Sequence, residues 1–200
     1  MQRQISKKFF IYLFTYLLLV SVNNIKFLQL NFPTINNFEI SGMSDLENDK
    51  LRLNLENIKN NDIFFMDKEK VSEIIYSNKK IERFSIFKNY PSKLEIKIEK
   101  TNFLAITKKN NIDFYIGSNG NLIKIENLKT NLPFVFGNVD ILDFIHLKKI
   151  IDNSNFDFNK IKNLYYFKSK RWDLQTKDGL IIKLPLSKIE NSLNALKILS

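Results

Sequence analysis

Alternation of apolar and charged positions gives the clearest structural signal in the chain. Between Lys93 and Glu99 every second residue is apolar, and the residues between them are Lys or Glu. The apolar positions are Leu94, Ile96 and Ile98. A period of two predicts a strand with one buried and one exposed face. A less regular run over residues 81–89 precedes it, and Pro91 forces a turn between them because proline fixes its own φ. We therefore predict a β-hairpin over residues 81–100.

Helical spacing dominates the segment before this hairpin. Ser44 and Glu47 form a capping-box pattern, which predicts a helix start, and Asp67 is a candidate cap for a second helix. The apolar residues at helical spacing are Leu51, Leu55 and Ile58 in the first helix and Val71, Ile74 and Ile75 in the second. With a short strand at 38–40, the order is strand, helix, helix, strand, strand. We expect two amphipathic helices to cover one face of a three-stranded sheet over residues 38–101.

Short strand patterns prevail after Lys100. The candidates are residues 103–107, 112–116, 122–125, 161–167, 171–175 and 180–184. A helix is predicted at 140–152, and a second capping-box pattern, Ser187 with Glu190, predicts a helix near the end of the sequence. Residues 102–200 are thus expected to form a β-rich domain with flanking helices. The predicted fold class is α+β.

An uncharged apolar run opens the chain. Residues 9–22 carry no charge and follow Arg3, Lys7 and Lys8. Fourteen helical residues reach only about 21 Å, short of the roughly 30 Å hydrocarbon core, so the predicted transmembrane helix continues to residue 30. Residues 1–8 are then a cytoplasmic tail and 31–37 a linker. A cleaved signal peptide and a plain buried helix are the competing interpretations. A positive N-terminal flank keeps that end in the cytoplasm and exports the rest.

The net charge of +10 does not indicate a nucleic-acid binder. Four bases and no acid precede residue 39, while the other 27 bases are interleaved with all 21 acids. Nucleic-acid binding requires a basic face or stripe, which this distribution does not predict. The sequence contains no cysteine, so it offers neither disulfides nor thiolate metal ligands. We predict no metal, cofactor, nucleic acid or small-molecule substrate.

Candidate catalytic groups are few and scattered. His146 is the single histidine, and the acids nearest to it in sequence are Asp140, Asp143, Asp152 and Asp157. A lone histidine completes no common metal-ligand set, and nothing in the acid spacing fixes a pair of carboxylates across a cleft. Solvated helix faces are the preferred interpretation. We predict no catalytic residue and no enzymatic activity.

Candidate partner-binding residues are basic and aromatic. They are Arg83, Lys88 and Tyr90 on the hairpin, and Arg171 and Trp172 on a later strand. A strand edge with positive charge can bind a partner, yet lysine on edge strands also prevents unwanted pairing. For Trp172, core packing is the preferred interpretation, because Leu174 shares its strand face.

Several segments in this order resemble the FtsQ/DivIB family of bacterial cell-division proteins. The residues that carry the resemblance are 38–42 (FEISG), 64–67 (FFMD), 90–99 (YPSKLEIKIE), 132–137 (LPFVFG), and the hairpin of Arg171-Trp172 with Asp178-Gly179. The resemblance implies a POTRA domain followed by a β-rich domain, both in the periplasm. It also implies a single-pass inner-membrane protein concentrated at the division septum. Its expected partners are FtsB, FtsL and other divisome membrane proteins, with the lipid bilayer bound through the N-terminal helix.

Other functions stay open at this point. A POTRA-bearing protein of export or outer-membrane assembly is the nearest alternative, although tandem POTRA repeats and a membrane barrel are not visible in the sequence. A membrane-anchored exported enzyme is the alternative from another class.

The sequence departs from the family pattern at several positions. Asn102 follows Glu99-Lys100 where a proline is common, Gly117 replaces a usual aspartate, and Leu184-Pro185 replaces Leu-Gly. The family also continues beyond the last helix into an edge strand where FtsB docks by strand addition. We expect either that the β-rich domain here lacks that strand or that another edge serves.

Overall fold

The computed structural model describes residues 7–23, 32–126 and 131–196. The helices are α1 (Lys7–Asn23), α2 (Asp45–Leu55), α3 (Lys68–Tyr76), α4 (Ile141–Asn153) and α5 (Ile189–Leu196). The strands are β1 (Asn37–Ser41), β2 (Ile81–Asn89), β3 (Lys93–Lys100), β4 (Phe103–Lys109), β5 (Ile112–Gly117), β6 (Leu122–Lys124), β7 (Phe134–Phe136), β8 (Ile161–Tyr166), β9 (Trp172–Thr176) and β10 (Ile181–Lys183). The predicted α+β class is confirmed.

The first three strands form a separate sheet in the order β1-β3-β2. β3 pairs parallel with β1 and antiparallel with β2. The predicted hairpin is therefore present, with its turn at Tyr90–Ser92. The apolar face of β3 is the buried one, because Leu94 and Ile96 have no exposed surface and Ile98 is only 6% exposed. The period-two pattern identified the correct face.

Two helices cover that apolar face. The predicted capping box is present at the start of α2, and the Asp67 carboxylate accepts hydrogen bonds from the amides of Glu69 and Lys70 at the start of α3. Leu51 and Leu55 of α2 and Val71 and Ile75 of α3 enter one core with the sheet residues. A sharp turn joins β1 to α2 at Gly42, whose φ is +104°. A side chain there would collide with the Ile98 carbonyl, so this position requires glycine.

Seven strands form the second sheet in the order β10-β9-β8-β7-β4-β5-β6. β7 lies parallel to both β4 and β8 and joins the two halves of the sheet. Residues 132–137 were predicted only as part of the family resemblance and not as a strand, so this central strand was missed. Its three residues are too few to display a period of two.

Helices α4 and α5 pack on one face of the seven-stranded sheet. Phe144, Leu147 and Ile151 of α4 are buried there, as predicted, together with Leu193 of α5. The predicted start of α5 is wrong, because the helix begins at Ile189 and Lys188 before it has a φ of +58°. Leu186 lies before this helix and is 67% exposed.

The N-terminal helix is shorter than the predicted span. α1 contains 17 residues, and no helix within the described ranges is both long and apolar enough to cross a membrane. Residues 24–30 of the predicted span lie outside the described residues. The side chains of α1 are exposed from Lys7 to Ser21.

A polar network joins the two sheets. The Asn119 side-chain amide donates to the carbonyls of Lys79 at 3.0 Å and Ile81 at 2.8 Å. The Ser118 hydroxyl donates to the Glu82 carboxylate at 2.7 Å. The turn after β5 therefore holds the beginning of β2.

Candidate interaction surface

Four aromatic side chains form a cluster on the surface of the three-stranded module. They are Phe32, Phe64, Phe65 and Tyr90, and this set is called the aromatic cluster below. The Phe32 ring centre lies 5.8 Å from that of Phe64 and 5.4 Å from that of Phe65, both edge-on. Tyr90 stacks on Phe64 at 4.8 Å. Such offset and edge contacts are the favourable arrangements of aromatic rings.

The backbone explains why these rings meet. The amide of Ile63 donates to the Pro33 carbonyl at 3.1 Å, which brings Phe32 beside the segment 63–66. Within that segment Ile63 is fully buried and Met66 is 7% exposed, so the two phenylalanines between them face solvent. The exposed fractions are 41% for Phe32, 48% for Phe64, 74% for Phe65 and 57% for Tyr90. The cluster is thus a surface feature.

Polar groups surround the aromatic cluster closely. The Lys88 ammonium donates to the Phe64 carbonyl at 3.1 Å. The Asp62 carboxylate accepts from the Phe64 amide at 2.7 Å and so faces the backbone. An ammonium and a carboxylate beside exposed rings give the surface an amphipathic character.

The structure brings together only two of the five predicted partner-binding residues. Lys88 and Tyr90 both contact Phe64 in the aromatic cluster. Arg83 lies toward the other end of β2, where its guanidinium binds the Glu99 carboxylate across the strands at 2.7 Å. That charge is matched, so Arg83 is a weaker candidate than sequence analysis predicted.

Arg171 and Trp172 belong to the other sheet. The Arg171 guanidinium binds both carboxylate oxygens of Asp173, at 3.0 and 3.3 Å. Trp172 is 4% exposed and packs 4.7 Å from the Tyr166 ring. The structure gives Trp172 little surface for a partner to contact, and core packing, the preferred interpretation, describes its position.

Sequence analysis missed the three phenylalanines of the aromatic cluster. Residues 63–66 are all apolar, and no exposed position was predicted among them. The signal that could have found Phe64 and Phe65 is the Asp67 cap, which fixes the start of a helix directly after residues 63–66. Four apolar residues in a row before a helix start cannot all face the same core. Phe32 had no local signal, since its position depends on the backbone contact between Pro33 and Ile63.

The outer face of the three-stranded sheet carries interleaved charges. A hydrogen bond to Glu39 raises the pKa of Lys93. Hydrogen bonds from Asn89 and then Lys97 lower the pKa of Glu95. Each charge has an opposite neighbour, so this face presents neither a basic nor an acidic stripe.

The carboxylates considered as catalytic candidates have structural partners. Asp140 accepts from the Leu142 amide at 2.9 Å and Asp157 from the Asn159 amide at 2.9 Å, as helix caps. Asp143 accepts from the Tyr166 hydroxyl at 2.5 Å, and this bond raises the pKa of Tyr166 to about 12. Asp152 pairs with Lys148. In the described part of the chain, no three His, Asp or Glu side chains converge to hold a metal ion.

The order of elements and the sheet order β1-β3-β2 define the first module as a POTRA-type domain. Residues 34–100 match the family of the POTRA domain, FtsQ-type. The predicted resemblance to the FtsQ/DivIB family is therefore confirmed, and these 67 of the 200 residues carry it.

Two further comparisons concern curated proteins and solved structures. No curated protein matches the sequence significantly. Among solved structures, the chain is similar to the major extracytoplasmic domain of the trans isomer of the bacterial cell division protein DivIB from Geobacillus stearothermophilus. The identity is 16% and the TM-score 0.38, over 48% of this chain and 87% of that chain.

Proposed function

We propose that this protein is a membrane-anchored, non-enzymatic scaffold of bacterial cell division. The observation that carries the proposal is the FtsQ-type POTRA match over residues 34–100. In this proposal residues 38–101 form the POTRA domain and 102–200 the β-rich domain. Both lie in the periplasm, concentrated at the septum, where they recruit and link division proteins.

The anchor in this proposal is a helix over residues 9–30. The described helix α1, Lys7–Asn23, supplies residues 9–23 of this span, about 22 Å at 1.5 Å per residue. Residues 24–30 would complete a crossing of the roughly 30 Å hydrocarbon core. The proposal is supported by the bases Arg3, Lys7 and Lys8 before the apolar run and by the absence of any acid before Glu39.

Tethering explains how a scaffold can act through small interfaces. Partners held in the same membrane meet the exported domains at a high effective concentration, so modest contacts suffice for assembly. In such a protein the contacts serve to bring other chains together and not to catalyse a reaction. The expected partners are FtsB and FtsL.

The edge strand β10 is the proposed docking site for FtsB among the described strands. The Leu184 amide donates to the Trp172 carbonyl at 2.9 Å, and the Leu180 carbonyl accepts from the Thr176 amide at 2.9 Å. Residues 180, 182 and 184 therefore face β9, and the backbone groups of Ile181 and Lys183 face the open edge. Strand addition uses such outward groups.

Replacement of one outward amide tests this docking site. Ile181→Pro removes a donor that does not bond β9, and proline is tolerated at an edge position whose amide faces solvent. Ile181→Ser keeps the amide and changes only the side chain, which is 58% exposed, so it is the matched control. Loss of one backbone hydrogen bond should weaken FtsB capture about tenfold.

Co-purification from solubilised membranes is the measurement. We expect FtsB and FtsL to co-purify with the unchanged chain and with Ile181→Ser, and to be reduced with Ile181→Pro. Equal capture by both variants would remove β10 as the docking site while the scaffold role stands. Failure of the unchanged chain to retain either partner, or to concentrate at the septum as a fluorescent fusion, would contradict the scaffold role.

A further inference from the structure

We propose that the aromatic cluster docks on the lipid headgroup region of the bilayer that the N-terminal helix enters. Phe32, Phe64, Phe65 and Tyr90 would then hold the POTRA domain against the membrane surface. This inference rests on the membrane anchor of the proposed function. It assigns a binding surface and its ligand, a phospholipid interface.

Chain length places the cluster near the bilayer. In the proposed anchor the span ends at residue 30, and Phe32, a member of the cluster, follows two residues later. Two residue steps reach at most about 7 Å in a fully extended chain. The cluster therefore begins beside the membrane surface at which the proposed span ends.

The rings form one continuous apolar surface rather than scattered exposed residues. Phe32 touches both Phe64 and Phe65, and Tyr90 touches Phe64. Phe65 protrudes most, with 74% of its surface exposed. Contiguous exposed apolar patches mark interaction sites on soluble domains, whereas single exposed side chains do not.

The polar groups fit a phospholipid interface. Aromatic rings with polar tips concentrate at the level of the headgroups, where the ring is in an apolar layer and the tip stays wet. Tyr90 supplies a hydroxyl of this kind. The Lys88 ammonium uses one donor on the Phe64 carbonyl and has two further donors for lipid phosphates.

A lipid surface is favoured over a second protein because of its permanent proximity. The tether keeps the bilayer within reach of the cluster at all times, so even weak insertion of a few rings would be populated. A protein partner would have to arrive by diffusion. Asp62 keeps its negative charge while its carboxylate accepts from the Phe64 amide, and the Lys88 ammonium beside the same residue supplies the opposite charge.

Tryptophan fluorescence in vesicles tests the docking. The full-length chain carrying Phe65→Trp is reconstituted into phosphatidylethanolamine and phosphatidylglycerol vesicles, with and without bromine on the upper acyl carbons. The matched control is Leu186→Trp, an equally exposed position at 67% near α5. The native Trp172 is 4% exposed and contributes the same background to both.

We expect brominated lipid to quench the Phe65→Trp emission at least about twofold more than the Leu186→Trp emission, as interfacial insertion requires. Equal quenching in a chain that co-floats with the vesicles would overturn the docking and leave the anchor intact. A chain that does not co-float would overturn both. A Phe65→Trp reporter insensitive to brominated lipid, but shielded from iodide as protein density rises, would assign the cluster to a second copy and also overturn the proposal.

Discussion

Asn119 donates its side-chain amide to the backbone carbonyl of Ile81 across 2.8 Å, and so joins the seven-stranded sheet to the first strand of the hairpin. The same amide reaches the Lys79 carbonyl at 3.0 Å, while the Asn119 side-chain oxygen accepts from the Asn121 amide at 3.0 Å. One side chain thus satisfies three backbone groups. This side chain is one of the contacts that join the two sheets, together with the Ser118 hydroxyl on Glu82.

Removal of the Asn119 amide should loosen the junction. Asn119→Ala leaves two carbonyls without this donor, so the free energy of unfolding should fall by about 1–2 kcal/mol. Hydrogen exchange of the amides at the start of β2 should also become faster. Asn54→Ala, on the exposed face of α2, is the control and should change the free energy of unfolding by less than about 0.5 kcal/mol. Equal denaturation midpoints for the two variants would contradict the assigned role of Asn119.

Gly117 makes room for this junction. A Cβ at residue 117 would lie 2.6 Å from the Asn119 side-chain oxygen and 2.8 Å from the Thr101 hydroxyl. Gly117→Ala should therefore destabilise the chain by about 1–3 kcal/mol, as overpacking does. This glycine stands where the family commonly has aspartate. In this structure the space that a side chain at residue 117 would need is occupied by Asn119 and Thr101.

A double-mutant cycle separates this clash from a general effect of alanine. Asn119→Ala removes the nearer of the two obstructing atoms, so Gly117→Ala should cost less in that background. We expect a coupling free energy of about 0.5 kcal/mol or more from paired denaturation curves. If the changes in the free energy of unfolding caused by the two substitutions were strictly additive, the two residues would not interact through contact.

Acid should weaken the first module through Glu47. Burial opposes ionisation of this carboxyl, but hydrogen bonds from Lys80 and Ser44 outweigh it and lower the pKa from 4.5 to about 2. Because the folded-state pKa is the lower one, the stabilisation is complete above the unfolded pKa and is lost as the pH falls toward 2. Glu47→Gln should therefore be less stable than the unchanged chain near neutral pH, by roughly 1 kcal/mol.

The difference between the Glu47→Gln variant and the unchanged chain should shrink as the pH falls below 4.5 and vanish near pH 2. Urea midpoints at several pH values measure this. Glu73→Gln, on the exposed side of α3, is the matched control and should match the unchanged chain at each pH. A constant difference between Glu47→Gln and the unchanged chain across the range would contradict the role of the carboxylate charge.

Trp172 should matter for stability and not for partner capture. Trp172→Ala removes a 4% exposed ring packed near Phe144 and Tyr166, so the free energy of unfolding should fall by about 3–5 kcal/mol. Phe136→Ala, at a ring 42% exposed, should cost about 1 kcal/mol or less. Thermal or chemical denaturation measures both. A small effect at Trp172 would show that its ring is not part of the core.

Local patterns predicted the structure correctly where apolar and polar residues alternate regularly over several positions or where a cap precedes a helix. The charged and apolar alternation around Ile96 predicted the face of β3, and the caps Ser44 and Asp67 predicted two helix starts. The capping-box pattern at Ser187 failed because Lys188 adopts a positive φ and delays the helix to Ile189. A cap sequence specifies a helix start only where the backbone after it is helical.

Contacts between segments that are far apart in the sequence could not be predicted from local patterns. The strand β7 is recognisable only by its pairing with β4 and β8, which lie about 28 residues away on either side. Phe32 and Phe64 meet because several backbone hydrogen bonds pair residues 33–35 with residues 60–63, among them the Ile63 amide to the Pro33 carbonyl. Lys88 and Tyr90 were predicted as partner-binding residues from their basic and aromatic side chains on the hairpin, but the rings beside them depended on that pairing.

Membrane topology tests the central claim most directly. In the proposed topology everything after residue 30 lies outside the inner membrane. Alkaline phosphatase fused after Ser200 should therefore be active, because its disulfides form only after export. A cytosolic reporter such as β-galactosidase at the same position should be inactive. Active β-galactosidase together with inactive alkaline phosphatase would place these domains in the cytoplasm and contradict the proposed anchored scaffold.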